Sequence, residues 1–206
     1  MKQVLALLAF AACACAGAAE PAAPSKGQSI VTQVCAACHG VDGNSTGPAN
    51  PKLAGQIPDY LQKQLTNYKA EPGKKAEREN PVMGGMAASL SPEDVRSVAA
   101  YYAGQQPKSG AARNRDTLAL GQKIWRAGDA ARGLPACAAC HGATGGGVPA
   151  QYPRLAGQFV EYTEAQLKAF RSGERANDAN RVMRAIAGKM SDLDIRAVAD
   201  FAAGMR

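Results

Sequence analysis

Cys35-Ala36-Ala37-Cys38-His39 lies in the first half of the chain, and an identical Cys137-Ala138-Ala139-Cys140-His141 lies in the second half. Two cysteines three positions apart share one side of a helical turn, where both thiols can form thioether bonds to the vinyl groups of one haem. The histidine that follows can then place its ring under the iron. The pattern therefore predicts two covalently attached haem c groups, one for each motif.

Paired cysteines also occur in disulfides, in redox dithiols and in four-cysteine zinc sites. An identical five-residue motif that occurs twice is hard to obtain from those alternatives. Both histidines of the chain are moreover used in the two motifs. The motifs consequently favour haem iron over the other kinds of site.

The repeat extends well beyond the two motifs. Pro51–Gln56 reads PKLAGQ and returns as Pro153–Gln158, which reads PRLAGQ, at the spacing that also separates the two histidines. Two residues are then lost, so that Met83 aligns with Met183 and a serine eight positions later aligns with its counterpart. The chain is therefore predicted to be a tandem duplication.

Length and composition agree with two small domains. The 206 residues are 46% hydrophobic, 20% charged and only 5% aromatic, so two globular domains would have few large side chains for their cores. A covalently held cofactor would supplement such cores. Helical spacing recurs in both halves and no convincing alternating pattern occurs, which predicts an all-α fold. In each half we expect a methionine loop before a terminal helix, which begins at Ser91 or Ser191 as N-cap with acidic residues in its first turn. We predict an N-terminal domain over 20–104, a linker over 105–116 and a C-terminal domain over 117–206.

The N-terminus is typical of a secretory signal peptide. Lys2 precedes an apolar run from Val4 to Ala16, and small residues continue to Ala19. This run is too short to span a membrane, and no later stretch approaches 18 consecutive apolar residues, so we expect no transmembrane segment in the mature chain. Cleavage after residues 1–19 would release the protein into the periplasm. A lipid-accepting Cys13 or Cys15 is the alternative, although the residues before them suit such a signal poorly.

A haem iron with one histidine ligand needs a second axial ligand unless it binds an exogenous molecule. Both histidines are already used, so methionine thioether is the leading candidate. Met83 and Met183 coincide in the repeat, and we predict that they complete the two iron sites. The other methionines are interpreted as core residues: Met86, Met190 and Met205.

Pro51 and Pro153 each follow their histidine by twelve residues. Proline fixes φ and lacks a donor, so either residue can simply end a structural element. Alternatively, its carbonyl can accept the Nδ1 hydrogen of the histidine and orient the ring. The residues alone leave both interpretations open.

The two Cys-x-x-Cys-His modules, the loop after each and the methionine before each terminal helix resemble the periplasmic dihaem cytochrome c4 family over nearly the whole mature chain. The resemblance implies two tandem cytochrome c-like domains with histidine and methionine axial ligands, and histidine-orienting roles for Pro51 and Pro153. It also matches Tyr101, Tyr102 and Phe201 to aromatics of the terminal helices. The implied haem residues are Cys35, Cys38, His39 and Met83 for the first haem and Cys137, Cys140, His141 and Met183 for the second.

The expected activity is one-electron transfer in a respiratory chain, without turnover of the protein's own. The resemblance implies delivery towards a terminal oxidase. The alternatives are the cytochrome subunit of a periplasmic dehydrogenase complex and a dihaem enzyme or gas sensor. Residues 111–206 contain 14 basic and 9 acidic residues, against 9 and 8 in 20–110, so an acidic partner surface is expected to dock on the C-terminal domain. Nucleic-acid binding is not expected.

Overall fold

The computed structural model describes residues 25–206, so the predicted signal peptide and its two cysteines lie outside the described residues. Every regular element within residues 25–206 is helical, which confirms the all-α fold class. A π-helical turn over Val31–Cys35 continues the first helix into the first cysteine motif. The helices of the first half are α1 (Lys26–Ile30), α2 (Ala36–His39), α3 (Pro58–Asn67), α4 (Pro81–Ala88) and α5 (Pro92–Ala103).

The second half repeats this order of helices. It adds a 3₁₀ turn, Ala130–Arg132, before its cysteine motif, and a second one, Ala179–Arg181, before its methionine. Two isolated backbone bridges also lie in this half, between Asp129 and Leu134 and between Val148 and Tyr152. Its helices are α6 (Arg115–Ala127), α7 (Ala138–His141), α8 (Val160–Ser172), α9 (Val182–Ala187) and α10 (Asp192–Ala203).

In each half the first helix packs directly on the terminal helix. Gly27 of α1 lies against the Ser97 carbonyl of α5, and Gly121 of α6 lies against the Ala197 carbonyl of α10. A side chain at either glycine would overlap that carbonyl oxygen, so only glycine allows the two backbones this approach. The first and terminal helices of each domain are therefore in direct backbone contact.

The terminal helices begin where the sequence predicts. The hydroxyl of Ser91 accepts the backbone N–H of Asp94, whose carboxylate accepts the N–H of Ser91 in return. Ser191 and Asp194 form the same capping box on α10. Because these hydrogen bonds satisfy otherwise free N–H groups in the first turn, both helix starts are specified locally.

Each half has its own small hydrophobic core. That of the first half consists of Val31, Leu61, Val98, Ala99 and Tyr102. That of the second half consists of Ile124, Trp125, Leu134, Met190, Ile195, Val198 and Ala202, with Met205 packed against it. The core interpretation of Met190 and Met205 is thus confirmed.

The core interpretation of Met86 is wrong. Met86 is 48% exposed, whereas the neighbouring Ala87 is fully buried. Successive helical residues point about 100° apart, so α4 turns Met86 outward when it buries Ala87.

The segment between the halves is attached to both of them. Lys108 donates its backbone N–H to the Asn44 side chain of the first half (2.7 Å). Arg113 and Asn114 donate theirs to the buried carboxylate of Asp200 on α10 (2.8 and 3.1 Å). Helix α6 begins at Arg115, so the last two residues assigned to the linker are helical. Within residues 25–206, no helix is long and apolar enough to cross a membrane.

Candidate haem sites

The cysteine motifs place two thiols and one imidazole on a single helical turn. Cys35 ends the π-helical turn and Cys38 lies in α2, while Cys137 immediately precedes α7, which contains Cys140. None of these four cysteines forms a disulfide. The local helical geometry therefore presents both thiols of each motif beside the histidine that follows them.

The environment of the thiols does not favour the alternative sites. Burial raises the pKa of the Cys35 thiol and raises that of Cys137 to about 11. Reactive dithiols depend on a lowered thiol pKa, and Cys35 and Cys137 have the opposite shift. Within residues 25–206, no three Cys, His, Asp or Glu side chains come together as a metal site, so the two motifs do not combine into a zinc site.

Both histidines are buried, with a hydrogen bond to the proline twelve residues later. His39 Nδ1 lies 2.9 Å from the Pro51 carbonyl, and His141 Nδ1 lies 2.9 Å from the Pro153 carbonyl. A carbonyl can only accept, so Nδ1 carries the hydrogen and Nε2 keeps its lone pair. Burial lowers the pKa of both imidazoles, although the hydrogen bond opposes this. Each ring is therefore neutral and oriented, as a metal ligand requires.

The two methionines lie in short helices, where the sequence predicts loops. Met83 is the third residue of α4 and donates its backbone N–H to the Asn80 side chain (2.9 Å). Met183 is the second residue of α9, which packs on α8. Each methionine thus lies in the first turn of a short helix, which follows α3 in the first half and α8 in the second.

The loops after the histidines bind each other across the two halves. Gln56 donates to the Arg154 carbonyl (3.0 Å) and accepts the Arg154 N–H (2.8 Å). Gln158 makes the same pair of bonds to Lys52, both at 3.0 Å. Lys52 and Arg154 directly follow the prolines that accept from the histidines. Each half therefore supports the histidine-bonded loop of the other half.

A second contact between the halves is built from two arginines that the sequence reasoning missed. Arg78 and Arg175 are each only 7% exposed. Arg78 donates its backbone N–H to Asn67 and stacks on Tyr68, while Arg175 donates to Ala169 and stacks on Phe170. The two arginines thus occupy equivalent places in the two halves.

Insertions hide this equivalence in the sequence. Arg78 lies ten positions after Tyr68, but Arg175 lies only five positions after Phe170, so the arginines do not align at the spacing of the rest of the repeat. The signal that could have found them is a shared Glu-Arg-x-Asn pattern, at Glu77–Asn80 and at Glu174–Asn177.

Comparison with known proteins agrees with this architecture. The family model described as "Cytochrome c" matches residues 24–104 and again 118–205. Cytochrome c4 of Azotobacter vinelandii is 43% identical over 92% of this chain and 91% of its own length. The thiosulfate dehydrogenase electron acceptor of Stutzerimonas stutzeri (strain A1501) is 40% identical over 87% and 86%. The crystal structure of reduced recombinant cytochrome c4 from Pseudomonas stutzeri superimposes with a TM-score of 0.82, at 41% identity over 87% of this chain and 97% of that one.

Proposed function

The chain belongs to the cytochrome c family and, within it, to the cytochrome c4 proteins, and from this premise we propose that it passes single electrons along a periplasmic respiratory chain towards a terminal oxidase. As a family member it contains two tandem cytochrome c domains with two covalently bound haem c groups. It is an electron carrier and not an enzyme. When bound, haem supplies the one-electron couple of its iron.

The proposed attachment residues are the four cysteines Cys35, Cys38, Cys137 and Cys140. The proposed axial ligands are His39 with Met83 and His141 with Met183. The observation that carries this assignment is the 2.9 Å bond from each histidine Nδ1 to a proline carbonyl, repeated in the two halves. That bond leaves Nε2 as the only metal-binding atom of each ring. The carbonyls of Pro51 and Pro153 thereby fix the orientation of the two imidazoles.

The test is a haem count per chain together with the visible and near-infrared spectrum of the oxidised protein. We expect two haems, a charge-transfer band characteristic of iron bound to methionine, and no carbon monoxide binding by the reduced protein, because both axial positions are taken. Ready carbon monoxide binding without that band would contradict the methionine assignment. It would instead support an enzyme or gas sensor.

A second candidate function is to accept electrons from a dehydrogenase, because two relatives are named thiosulfate dehydrogenase electron acceptors. Both functions use the same haem sites and differ in the donor. Reduction of the oxidised protein by a purified periplasmic dehydrogenase, followed by stopped-flow absorbance, distinguishes them. Stable copurification with a catalytic subunit would favour the dehydrogenase role over a mobile carrier.

Export to the periplasm is part of the proposal. Cytochrome c4 proteins are periplasmic in general, and residues 1–19 have the features of a cleaved signal. Mass spectrometry of the protein from a periplasmic extract should show a chain that lacks these residues and carries two haems. A mature chain that begins at Cys13 or Cys15 with a lipid attached would contradict simple cleavage.

A further inference from the structure

Arg78 and Arg175 are buried cations that share their acceptors. The Gln64 oxygen accepts from Arg78 (2.7 Å) and from Arg175 (3.0 Å). The Gln166 oxygen also accepts from both, at 2.7 and 2.8 Å. The two guanidinium groups therefore lie within two hydrogen bonds of each other at the contact between the domains.

The remaining partners of the two arginines are uncharged. Arg78 donates to the Tyr162 hydroxyl (3.0 Å), and Arg175 donates to the Tyr60 hydroxyl (3.1 Å) and to Asn177 (3.0 Å). Each arginine thus binds the tyrosine of the opposite domain. These oxygens satisfy the donors, but none of them brings a negative charge to the pair.

Carboxylates near the pair are used elsewhere. No ion pair found within residues 25–206 includes Arg78 or Arg175, whereas other arginines of the C-terminal domain are paired with aspartates. Glu77 accepts from Asn67, and Asp178 pairs with Arg184. Burying a charge without a counter-ion costs several kcal/mol, on the order of the whole stability of a small domain. Two adjacent buried cations therefore require an anion from outside the amino-acid sequence.

Haem c supplies such anions, because each haem has two propionate carboxylates. Arg78 lies between the end of α3 and Met83, and Arg175 lies between the end of α8 and Met183. A guanidinium binds a carboxylate through two parallel N–H bonds, which suits this planar cation better than an ammonium. We propose that Arg78 and Arg175 form a clamp between the domains that binds the haem propionates. This inference rests on the proposed haem ligation.

The test replaces each arginine by glutamine and measures the midpoint potentials of both haems by spectroelectrochemistry. A positive charge beside a haem disfavours the oxidised iron, so its removal should lower the potentials. We expect the ratio of reduced to oxidised haem at a fixed ambient potential to fall about tenfold in Arg78→Gln and in Arg175→Gln, which corresponds to about 59 mV for one electron. Because the clamp bonds to both domains, each single variant should shift both haems.

Two matched variants separate charge from structure. Arg171→Gln removes an arginine of the same domain that is paired with Asp192, and it should leave both potentials unchanged. Gln56→Ala removes hydrogen bonds between the domains without changing any charge. If Arg78→Gln and Arg175→Gln shift the potentials no further than these two variants do, the clamp does not exist.

The haem count is measured first in every variant. If the unmodified protein carries fewer than two haems per chain, or lacks the methionine band, the proposed ligation is contradicted and not the clamp. Where a glutamine variant fails to mature, Arg78→Lys and Arg175→Lys keep the charge and lose the planar fork. In paramagnetic NMR, the haem propionate protons of these lysine variants should change their chemical shifts. Chemical shifts identical to those of the unmodified protein would overturn the proposal. A potential that changes when phosphate replaces chloride in the buffer would also overturn it, since a free anion would then fill the clamp.

Discussion

The methionine segment over 80–90 contains no charged residue, whereas the equivalent segment over 180–190 contains Arg181, Arg184 and Lys189 and no acidic residue. The first segment also exposes apolar side chains, with Val82 62% and Met86 48% exposed. The segment that contains the proposed methionine ligand is thus uncharged in one domain and basic in the other. The duplicated halves share the proposed iron ligands and differ in the charge of the segment around each methionine.

The backbone before the two methionines differs as well. Asn80 is extended and caps α4, whose first residue is Pro81. Asn180 and Arg181 instead have φ values of 54° and 58°, in the left-handed region. A left-handed residue other than glycine costs roughly 1–2 kcal/mol. A strained turn therefore precedes Met183, whereas an unstrained helix cap precedes Met83.

The two domains anchor the loop after the histidine with different aromatic residues. Tyr102 of α5 donates its hydroxyl to the Gly40 carbonyl (3.1 Å), while Trp125 of α6 donates its indole N–H to the Ala143 carbonyl (3.3 Å). Both carbonyls belong to the loop directly after the histidine. A large side chain thus anchors that loop in each domain, from the terminal helix in one and from the first helix in the other.

The largest expected effect comes from removal of either methionine. Met83→Ala and Met183→Ala should each abolish about half of the methionine band and lower the potential of one haem by an amount on the order of tenths of a volt, since axial ligands span about 0.8 V. The double variant should lack the band. Spectroelectrochemistry of the three variants checks this, with Met86→Ala as the control. An unchanged spectrum in Met83→Ala or Met183→Ala would refute the assignment for that domain.

Core truncation should next separate the two domains. Trp125→Ala removes the largest fully buried side chain and should cost the C-terminal domain about 3–5 kcal/mol in free energy of unfolding. Val31→Ala truncates a buried side chain of the π-helical turn in the other domain and should cost about 2 kcal/mol, because fewer buried carbon atoms are lost. Guanidinium unfolding followed by circular dichroism measures both. Equal losses would show that the two cores do not differ in this way.

The capping aspartates should respond unequally to substitution and to pH. Arg132 lowers the pKa of Asp194, whose side chain is 5% exposed, to about 2. The ionised Asp194 carboxylate stabilises the fold by about 2 kcal/mol. This contribution is complete above the ordinary aspartate pKa near 4 and is lost as the pH falls from about 4 to about 2. Asp194→Asn should remove this dependence. Lys26 also lowers the pKa of Asp94 to about 2, but the Asp94 side chain is 20% exposed and its partner 48%, so Asp94→Asn should cost less.

Thermal unfolding between pH 2 and pH 7 measures these two aspartate variants. A pH profile of Asp194→Asn that matches that of the unmodified protein would contradict the role of the Arg132 pair.

The smallest effect concerns encounter with an acidic redox partner. Arg181→Gln combined with Lys189→Gln should slow electron transfer to such a partner about tenfold at low salt, because the basic surface no longer attracts it. The difference should vanish at high salt. Stopped-flow kinetics at several ionic strengths measures the effect. Lys74→Gln combined with Lys75→Gln removes two exposed charges from the N-terminal domain and serves as the control, and an equal loss there would refute a specific C-terminal docking surface.

Prediction succeeded where a feature is local in the chain. The cysteine motifs occupy one helical turn each, and the capping boxes span four residues, so their chemistry can be recognised without a fold. It failed for Met86, because the face that α4 buries depends on what packs against it. It also failed for the methionine loops, which are helical because Asn80 caps α4 and because α9 packs on α8.

The sequence by itself determined the two domains, the all-α fold and the positions of the thiols, histidines and paired methionines, because repetition and local helical geometry specify them. Only the tertiary structure decided that Gln56 and Gln158 bind the histidine loop of the opposite domain, and that Arg78 meets Arg175. Those contacts join residues far apart in the chain, across loops of unequal length. Their geometry depends on how two folded domains pack, which no local pattern of residues encodes.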